Sequence, residues 1–212
     1  MRPVRFGFLS TARINRALLT GARATDVAEV LAVASRDQER ADEYANEQGL
    51  ERAYGSYDEL LADPDLEAIY ISLPNSLHVE WSVRALEAGK HVLVEKPFDR
   101  RPDEVARAFD VAERTGLVLM EAFMYRHHPQ TKKLQEVVSS GAIGELRQLR
   151  SSFSFTLDDP NDVRMTTDLD GAVLGDFSDA TLTMRDYWAI DSIGSTPFTS
   201  THDPLNGAPE GR

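Results

Sequence analysis

Between residues 4 and 121, short apolar blocks alternate with segments whose apolar residues recur at a helical spacing. That alternation marks a parallel sheet covered on both faces. The blocks predict strands over Val4–Leu9, Ala28–Ala34, 68–72, 91–95 and 117–121, with a weak one near Ala53 and Tyr54. Helices fill the intervals. Val79, Val83 and Leu86 give residues 76–88 one core face, and Val105, Phe109 and Ala112 do the same for 102–114. Ser76 stands where it can cap the first of these helices and Gly89 where it can end it. Pro102 falls in the first turn of the second, and Gly116 follows it. With right-handed crossovers the product is an α/β, doubly wound parallel sheet.

After residue 121 the rhythm changes. Residues 128–139 read as an amphipathic helix, Gly141 and Gly144 as a turn, and 145–157 as a long strand that opens a different sheet. From 166 to 212 the text is rich in Asp, Thr, Ser, Gly and Pro and sustains neither period. It reads as loop or disorder.

Composition narrows the classes. A length of 212 residues suits one large domain, or one of about 130 residues with a further piece. The hydrophobic share of 42% and charged share of 27% are globular values, and no apolar run approaches the roughly 18 residues of a membrane span. The N-terminal apolar stretch is too short for a signal peptide and leads straight into a core-type strand, so the expectation is a soluble, cytoplasmic chain. The absence of cysteine excludes disulfides, thiolate catalysis and cysteine-held metals. A net charge of −12 disfavours nucleic acid and anionic membrane as partners, so an anionic ligand needs a local basic or amide-lined pocket.

Candidate chemistry gathers at strand ends. The strand closing on Val94 runs into Glu95, Lys96 and Pro97, which places a lysine at the carboxyl edge of the sheet, where open α/β folds bind ligands. Its ammonium can reach a substrate oxygen beside a bound nucleotide, although a surface lysine after a strand is the plainer alternative. The turn after the first strand carries Ser10, Thr11, Ala12, Arg13 and Ile14, where a dinucleotide-binding fold presents helix amides to pyrophosphate. Against G-x-G-x-x-G it offers Ser10, Ala12 and Asn15, so only the small size of the residues and the strand-turn-helix context survive. Ser35 lies 20 residues after Asn15, where an NAD-binding protein would place an acid for the ribose. A hydroxyl followed by the guanidinium of Arg36 suits a 2′-phosphate instead, which points to NADP.

The turn after the 68–72 strand brings Leu73, Pro74, Asn75 and His78 to the same edge, fit to line a nicotinamide pocket or to serve only as turn and packing residues. The strand ending at Glu121 delivers a polar and aromatic cluster containing Arg126, His127 and His128. The adjacent histidines point apart and make a poor metal pair, so no metal is assigned.

Taken together, Glu95-Lys96-Pro97, Pro74-Asn75-x-x-His78, Ser35-Arg36 and Glu121-Ala-Phe-Met-Tyr-Arg126-x-His128-Pro resemble the Gfo/Idh/MocA oxidoreductases. The likeness is to the branch with dihydrodiol dehydrogenases and NADP-dependent xylose dehydrogenases, and it runs from about residue 4 to 165. The resemblance implies a Rossmann domain over 1–124 and an α/β substrate and dimerisation domain starting at 125–165, with 166–212 as an irregular tail. It also implies hydride transfer between NADP (NAD less well suited) and a hydroxyl-bearing carbon of a sugar or cyclic diol. Lys96 would then touch the reacting oxygen, Ser10–Ile14, Ser35, Arg36, Leu73, Pro74, Asn75, His78 and Glu95 would line the cofactor, and Arg126 and His128 would face substrate. Homo-oligomers form through the second domain's sheet in that family.

One departure stands out. Where the family has D-x-G-x-[HY], this chain has Asp176-Phe177-Ser178-Asp179-Ala180, so Asp176 fits the catalytic pattern and Ala180 does not, while Tyr187 is out of register. The expected reading is a truncated second α/β domain, from a shifted frame, a premature end or a divergent short form. An alternative function follows from it: a nucleotide-binding module or sensor without turnover. Limited proteolysis is expected to cut within 166–212 before the sheet domain is touched. Resistance there would reveal a folded substrate lobe.

Overall fold

The computed structural model describes residues 2–148 and, beyond them, the backbone of four short strands. The chain divides into two units, the first holding the described residues up to Phe123 and the second beginning at Met124.

The first unit is a parallel six-stranded sheet. Its strands are β1 (Val4–Leu9), β2 (Ala28–Ala34), β3 (Arg52–Tyr54), β4 (Ala68–Ile71), β5 (His91–Val94) and β6 (Leu119–Glu121), in the spatial order β3-β2-β1-β4-β5-β6. The helices between them are α1 (Asn15–Arg23), α2 (Gln38–Gln48), α3 (Tyr57–Ala62), α4 (His78–Glu87) and α5 (Pro102–Thr115). This is the doubly wound order of dinucleotide-binding domains, with the chain reversing its direction of winding between β1 and β4.

Alternation along the strands fills two cores. Phe8, Val33 and Tyr70 are buried on one face with Leu19 and Tyr44 of α1 and α2. Their strand neighbours Leu9, Ala34, Ile69 and Ile71 are buried on the other with Leu60, Val79 and Leu86. Each fully buried large side chain contributes roughly 1.5–3 kcal/mol through apolar burial. Glycine matters in β1, because a Cβ on Gly7 would come within 2.7 Å of Leu66 Cδ1 and 3.1 Å of Leu60 Cδ1. Leu60 of α3 and Leu66 of the loop after it therefore pack directly on the β1 backbone.

Several helix ends follow their sequence signals. Asp37 caps α2 by accepting the Arg40 N–H (2.9 Å), Ser56 caps α3, and Gly116 ends α5 with a left-handed φ of 68°. Two expectations need correcting. Ser76 caps nothing: residues Asn75–Leu77 form a 3-10 turn and α4 starts only at His78, with Leu77 at its cap position. Phe109 is not core but 45% exposed, since α5 turns Ala108, Val111 and Ala112 inward and leaves Phe109 edge-on against Phe98 at 6.0 Å.

The second unit holds a 3-10 turn at Met124–His127 and α6 (Pro129–Ser139). Within the strand expected over 145–157, Ser154–Thr156 is strand, paired antiparallel with Thr181–Thr183, while 145–148 adopt no regular structure and 149–153 lie outside the described residues. The region expected to be irregular thus contains strand, including an antiparallel pair of Ser192–Ile193 with Thr196–Pro197. These strands are two or three residues long, too short for the alternation of side chains along a strand to show in the sequence.

Charge is concentrated at the amino edge of the sheet. Arg52 grips Asp63 (3.0 and 2.8 Å) and Asp65 (2.8 Å), Tyr54 donates to Asp63 (2.8 Å), and the Asp65 N–H does so too (2.8 Å). Beside them, buried Lys90 donates to the Asp63 and Leu66 carbonyls (2.6 and 2.9 Å). Burial by itself would raise the Asp63 pKa, but the Asp65 amide, Arg52 and Tyr54 outweigh it and hold the carboxyl below its usual range. A depressed folded-state pKa contributes stability that is complete above the ordinary carboxylate range and disappears as pH falls through the folded value. Thermal melts should therefore show a steeper acid loss of Tm for the native chain than for Asp63→Asn. Parallel pH profiles of the two would contradict this assignment.

Candidate functional site

Loops from five strands meet the carboxyl edge of the sheet. After β1 come Ser10 to Ile14, after β2 Ser35 and Arg36, after β4 Ser72 to Asn75, after β5 Glu95 to Pro97, and after β6 Ala122 and Phe123. The structure so brings the predicted residues Ser10, Thr11, Ala12, Arg13, Ile14, Ser35, Arg36, Leu73, Pro74, Asn75, Glu95 and Lys96 to one edge. The place is the crevice outside the strand ends at a switch point, where open α/β sheets take their ligands.

The pairing of Leu9 with Ile71 sets the next residues, Ser10 and Ser72, side by side. Their hydroxyls are 2.7 Å apart, and the Ser10 Oγ also lies 3.1 Å from the Ser72 carbonyl. Ser10 adopts φ 144°, a region that favours glycine and costs another residue about 1–3 kcal/mol. The first-glycine position of the dinucleotide fingerprint therefore keeps the backbone of a glycine while bearing a hydroxyl that is bonded on several sides. Helix α1 follows with no acid in its first turn. The Asn15, Arg16 and Ala17 amides close turns onto Ala12, Arg13 and Ile14 (3.1, 3.3 and 3.0 Å), and the Ala12 amide donates to Ser10 Oγ (3.1 Å). The amides of Arg13 and Ile14 stand earlier in the same turn, ahead of α1.

At the neighbouring loop, Ser35 is buried and its N–H donates to the Tyr54 carbonyl (3.0 Å), while Arg36 is exposed. Arg40, one turn along α2, donates from Nε to Thr11 Oγ1 (2.9 Å) and so joins the two loops. The charges of Arg36 and Arg40 both reach Tyr57, whose hydroxyl is nevertheless pushed up by burial. Sequence reading passed over Arg40. Its signal was positional: it lies four residues past Arg36, just inside a helix capped by Asp37.

On the other side of the switch point, Glu95 accepts the Tyr70 hydroxyl (2.6 Å) and the Lys96 N–H (3.2 Å), and Glu121 accepts the Phe98 N–H (2.8 Å). Burial, then the Glu95 charge, drive the Tyr70 hydroxyl far above its ordinary pKa, so it acts as a fixed donor. Lys96 is half-buried between these groups and precedes a cis proline. His78 stands apart from the other predicted residues. It is fully buried, with Nδ1 2.8 Å from the Pro97 carbonyl and Nε2 2.8 Å from the Leu73 carbonyl. The ring ties the Leu73 loop to the Lys96 loop from beneath. Burial lowers its pKa, against the pull of those carbonyls and of Glu95 and Asp99. A neutral ring donates to one of the two oxygens; only the charged ring donates to both.

Arg126 and His128 belong to the second unit. Arg126 lies in the exposed 3-10 turn, and His128 caps α6 by accepting the Gln130 N–H at Nδ1 (3.1 Å). Asp176 lies outside the described residues, as do Ala180 and Tyr187.

The comparisons agree with this geometry. The model of the GFO_IDH_MocA oxidoreductase family, NAD-binding Rossmann fold, matches residues 4–123. An uncharacterised oxidoreductase of Rhizobium meliloti is 45% identical over 82% of this chain and 52% of its own length. A D-xylose 1-dehydrogenase (NADP(+)) of Haloferax volcanii is 46% identical over 81% and 53%. The chain thus spans about half the length of the curated relatives it matches. Among solved structures, a 3-ketoreductase from Actinomadura kijaniata in complex with NADP and TDP-benzene has a TM-score of 0.64 and 41% identity, over 69% of this chain and 45% of that one. With its family model matched across the whole six-stranded sheet, this chain belongs to the Gfo/Idh/MocA oxidoreductase family.

Proposed function

We propose that this chain carries the NADP half of a dehydrogenase that moves hydride to or from a hydroxyl-bearing carbon of a sugar or cyclic diol, in the cytoplasm. One observation carries the reading: two arginines flank the β2 end while a lysine stands at the β5 end of the same edge, with an amide-lined turn between. The relatives' names point the same way, one being a D-xylose 1-dehydrogenase (NADP(+)) and another a 3-ketoreductase held with NADP.

The residues present fit NADP. Thr11, Arg13 and Ile14 would hold the bridging phosphates at the α1 end, where small Ala12 permits close approach. Ser35, Arg36 and Arg40 would hold the 2′-phosphate by charge-assisted hydrogen bonds. Leu73, Pro74 and Asn75, with Glu95 anchored by Tyr70, would line the nicotinamide side. Bound there, NADP supplies the acceptor or donor of hydride. Lys96 then manages the proton: its ammonium donates to the substrate oxygen as charge develops there, and the neutral amine takes the hydroxyl proton in the reverse direction. Asp176 is proposed as its acid–base companion, and Arg126 and His128 as substrate contacts. The domain division proposed is 1–124, 125–165 and 166–212, with homo-oligomers formed through the second domain and neither nucleic acid nor membrane as partner.

Fluorescence titration with NADPH tests the binding half. Arg36→Ala and Arg40→Ala should each weaken NADPH by about tenfold to a hundredfold, the loss of a charged hydrogen bond, and leave NADH unchanged. No saturable binding by the native chain would remove the proposal. Turnover with a panel of aldoses and diols tests the chemistry: Lys96→Ala should lower kcat by about 10²–10⁴-fold with NADPH affinity and Tm intact. Wild-type turnover in that variant would remove Lys96 from its role, and NADPH binding without any turnover would support a sensor or binding module instead.

A further inference from the structure

The fingerprint mismatch at the third glycine position has a structural content of its own. Asn15, at the start of α1, is 0% exposed, and its neighbours Ser10 and Ser72 are also buried. Hydrogen bonds among the three close into a ring. Ser72 Oγ donates to Asn15 Oδ1 (2.6 Å), Asn15 Nδ2 donates to the Ser10 carbonyl (2.7 Å), and the Ser10 and Ser72 hydroxyls share the 2.7 Å bond between them. The ring accounts for both ends of the amide and so dictates its orientation: the oxygen faces Ser72 and the nitrogen faces Ser10. It also reaches the turn itself, because the Ser10 hydroxyl accepts the Ala12 N–H (3.1 Å).

The ring sits at the switch point. Ser10 and Asn15 belong to the turn proposed to hold phosphate, and Ser72 opens the loop proposed to line the nicotinamide. In the glycine fingerprint the third glycine only makes room for helix-on-strand packing. A buried asparagine there does something a glycine cannot, which is to bind the two loops to each other. We propose that Asn15 is a positioning residue for the dinucleotide, holding the phosphate loop and the nicotinamide-side loop at one separation through the Ser10 carbonyl and the Ser72 hydroxyl. This rests on the NADP reading above. Asn15 need not touch the ligand; it sets the distance that a ligand spanning both loops must match, and a ligand reaching only one loop is indifferent to it.

That difference supplies the test. NADPH spans both loops, whereas 2′,5′-ADP carries the adenosine, its 2′-phosphate and one bridging phosphate and ends before the nicotinamide. Titration calorimetry of the full chain with each ligand is the measurement. Asn15→Ala should weaken NADPH by about tenfold, the loss of a buried hydrogen bond, and leave 2′,5′-ADP unchanged. Ser72→Ala, a smaller change on the other side of the ring, should show the same selectivity, and the double variant should lose less than the sum of the two. If Asn15→Ala fails to fold, Ser72→Ala carries the test alone. Equal weakening of both ligands, or unchanged NADPH affinity in the folded variants, would overturn the positioning role. A native chain that binds neither ligand would instead overturn the NADP reading, so the two failures are told apart.

Discussion

The parallel register of β1 against β4 is the constraint on which the rest of the edge depends. With Leu9 opposite Ile71, the two strands stop together and their next residues, Ser10 and Ser72, meet hydroxyl to hydroxyl. A slip of β1 by one residue would turn Phe8 away from Tyr70, on which it packs edge to face at 5.5 Å, to the opposite face of the sheet. Burial of those rings therefore guards the polar geometry a residue or two away. Gly7 serves the same end, letting Leu60 and Leu66 lie against the β1 backbone and hold the strand in place.

The two edges of the sheet divide the polar work. At the amino edge, Arg52, Asp63, Asp65, Tyr54 and Lys90 satisfy one another in a closed set of ion pairs and carbonyl contacts, which suits a structural seam. At the carboxyl edge some of the bonds that join loops are neutral, Ser to Ser, Asn to carbonyl and His to carbonyl, while Tyr70 to Glu95, Arg40 to Thr11 and the Phe98 amide to Glu121 each have a charged partner. The neutral ties rigidify the edge without drawing on Arg36, which is exposed in a chain of net charge −12.

His78 and Glu95 show how a motif residue can act at one remove. Both stand in stretches that resemble a family signature, yet the imidazole faces two backbone carbonyls and the carboxylate holds a tyrosine and the next amide. A recurring letter in a motif names a requirement of the loop; whether a ligand or the loop's own backbone meets it depends on which way the side chain points.

Much of the architecture was legible from period alone. The doubly wound sheet, the strand ends that gather at one edge and the stop at Gly116 follow from local propensity and alternation, because burial on two faces imposes a pattern that short segments display. Membership of the family was likewise carried by Glu95-Lys96-Pro97 and Pro74-Asn75-x-x-His78, short strings set by loop geometry. Less was legible where partners come from afar. Asn15 read as a failed glycine because its donor, Ser72, is 57 residues distant. Nothing local marked Arg40 as a tie between loops until α2 laid it against Thr11, and Phe109 looked like core until α5 chose its rotation from the packing of Ala108 and Ala112. Sequence by itself determined which segments become strands and helices, since those choices are local; tertiary structure alone decided which polar side chains close on one another, since hydrogen bonds across the sheet depend on register that no single segment contains.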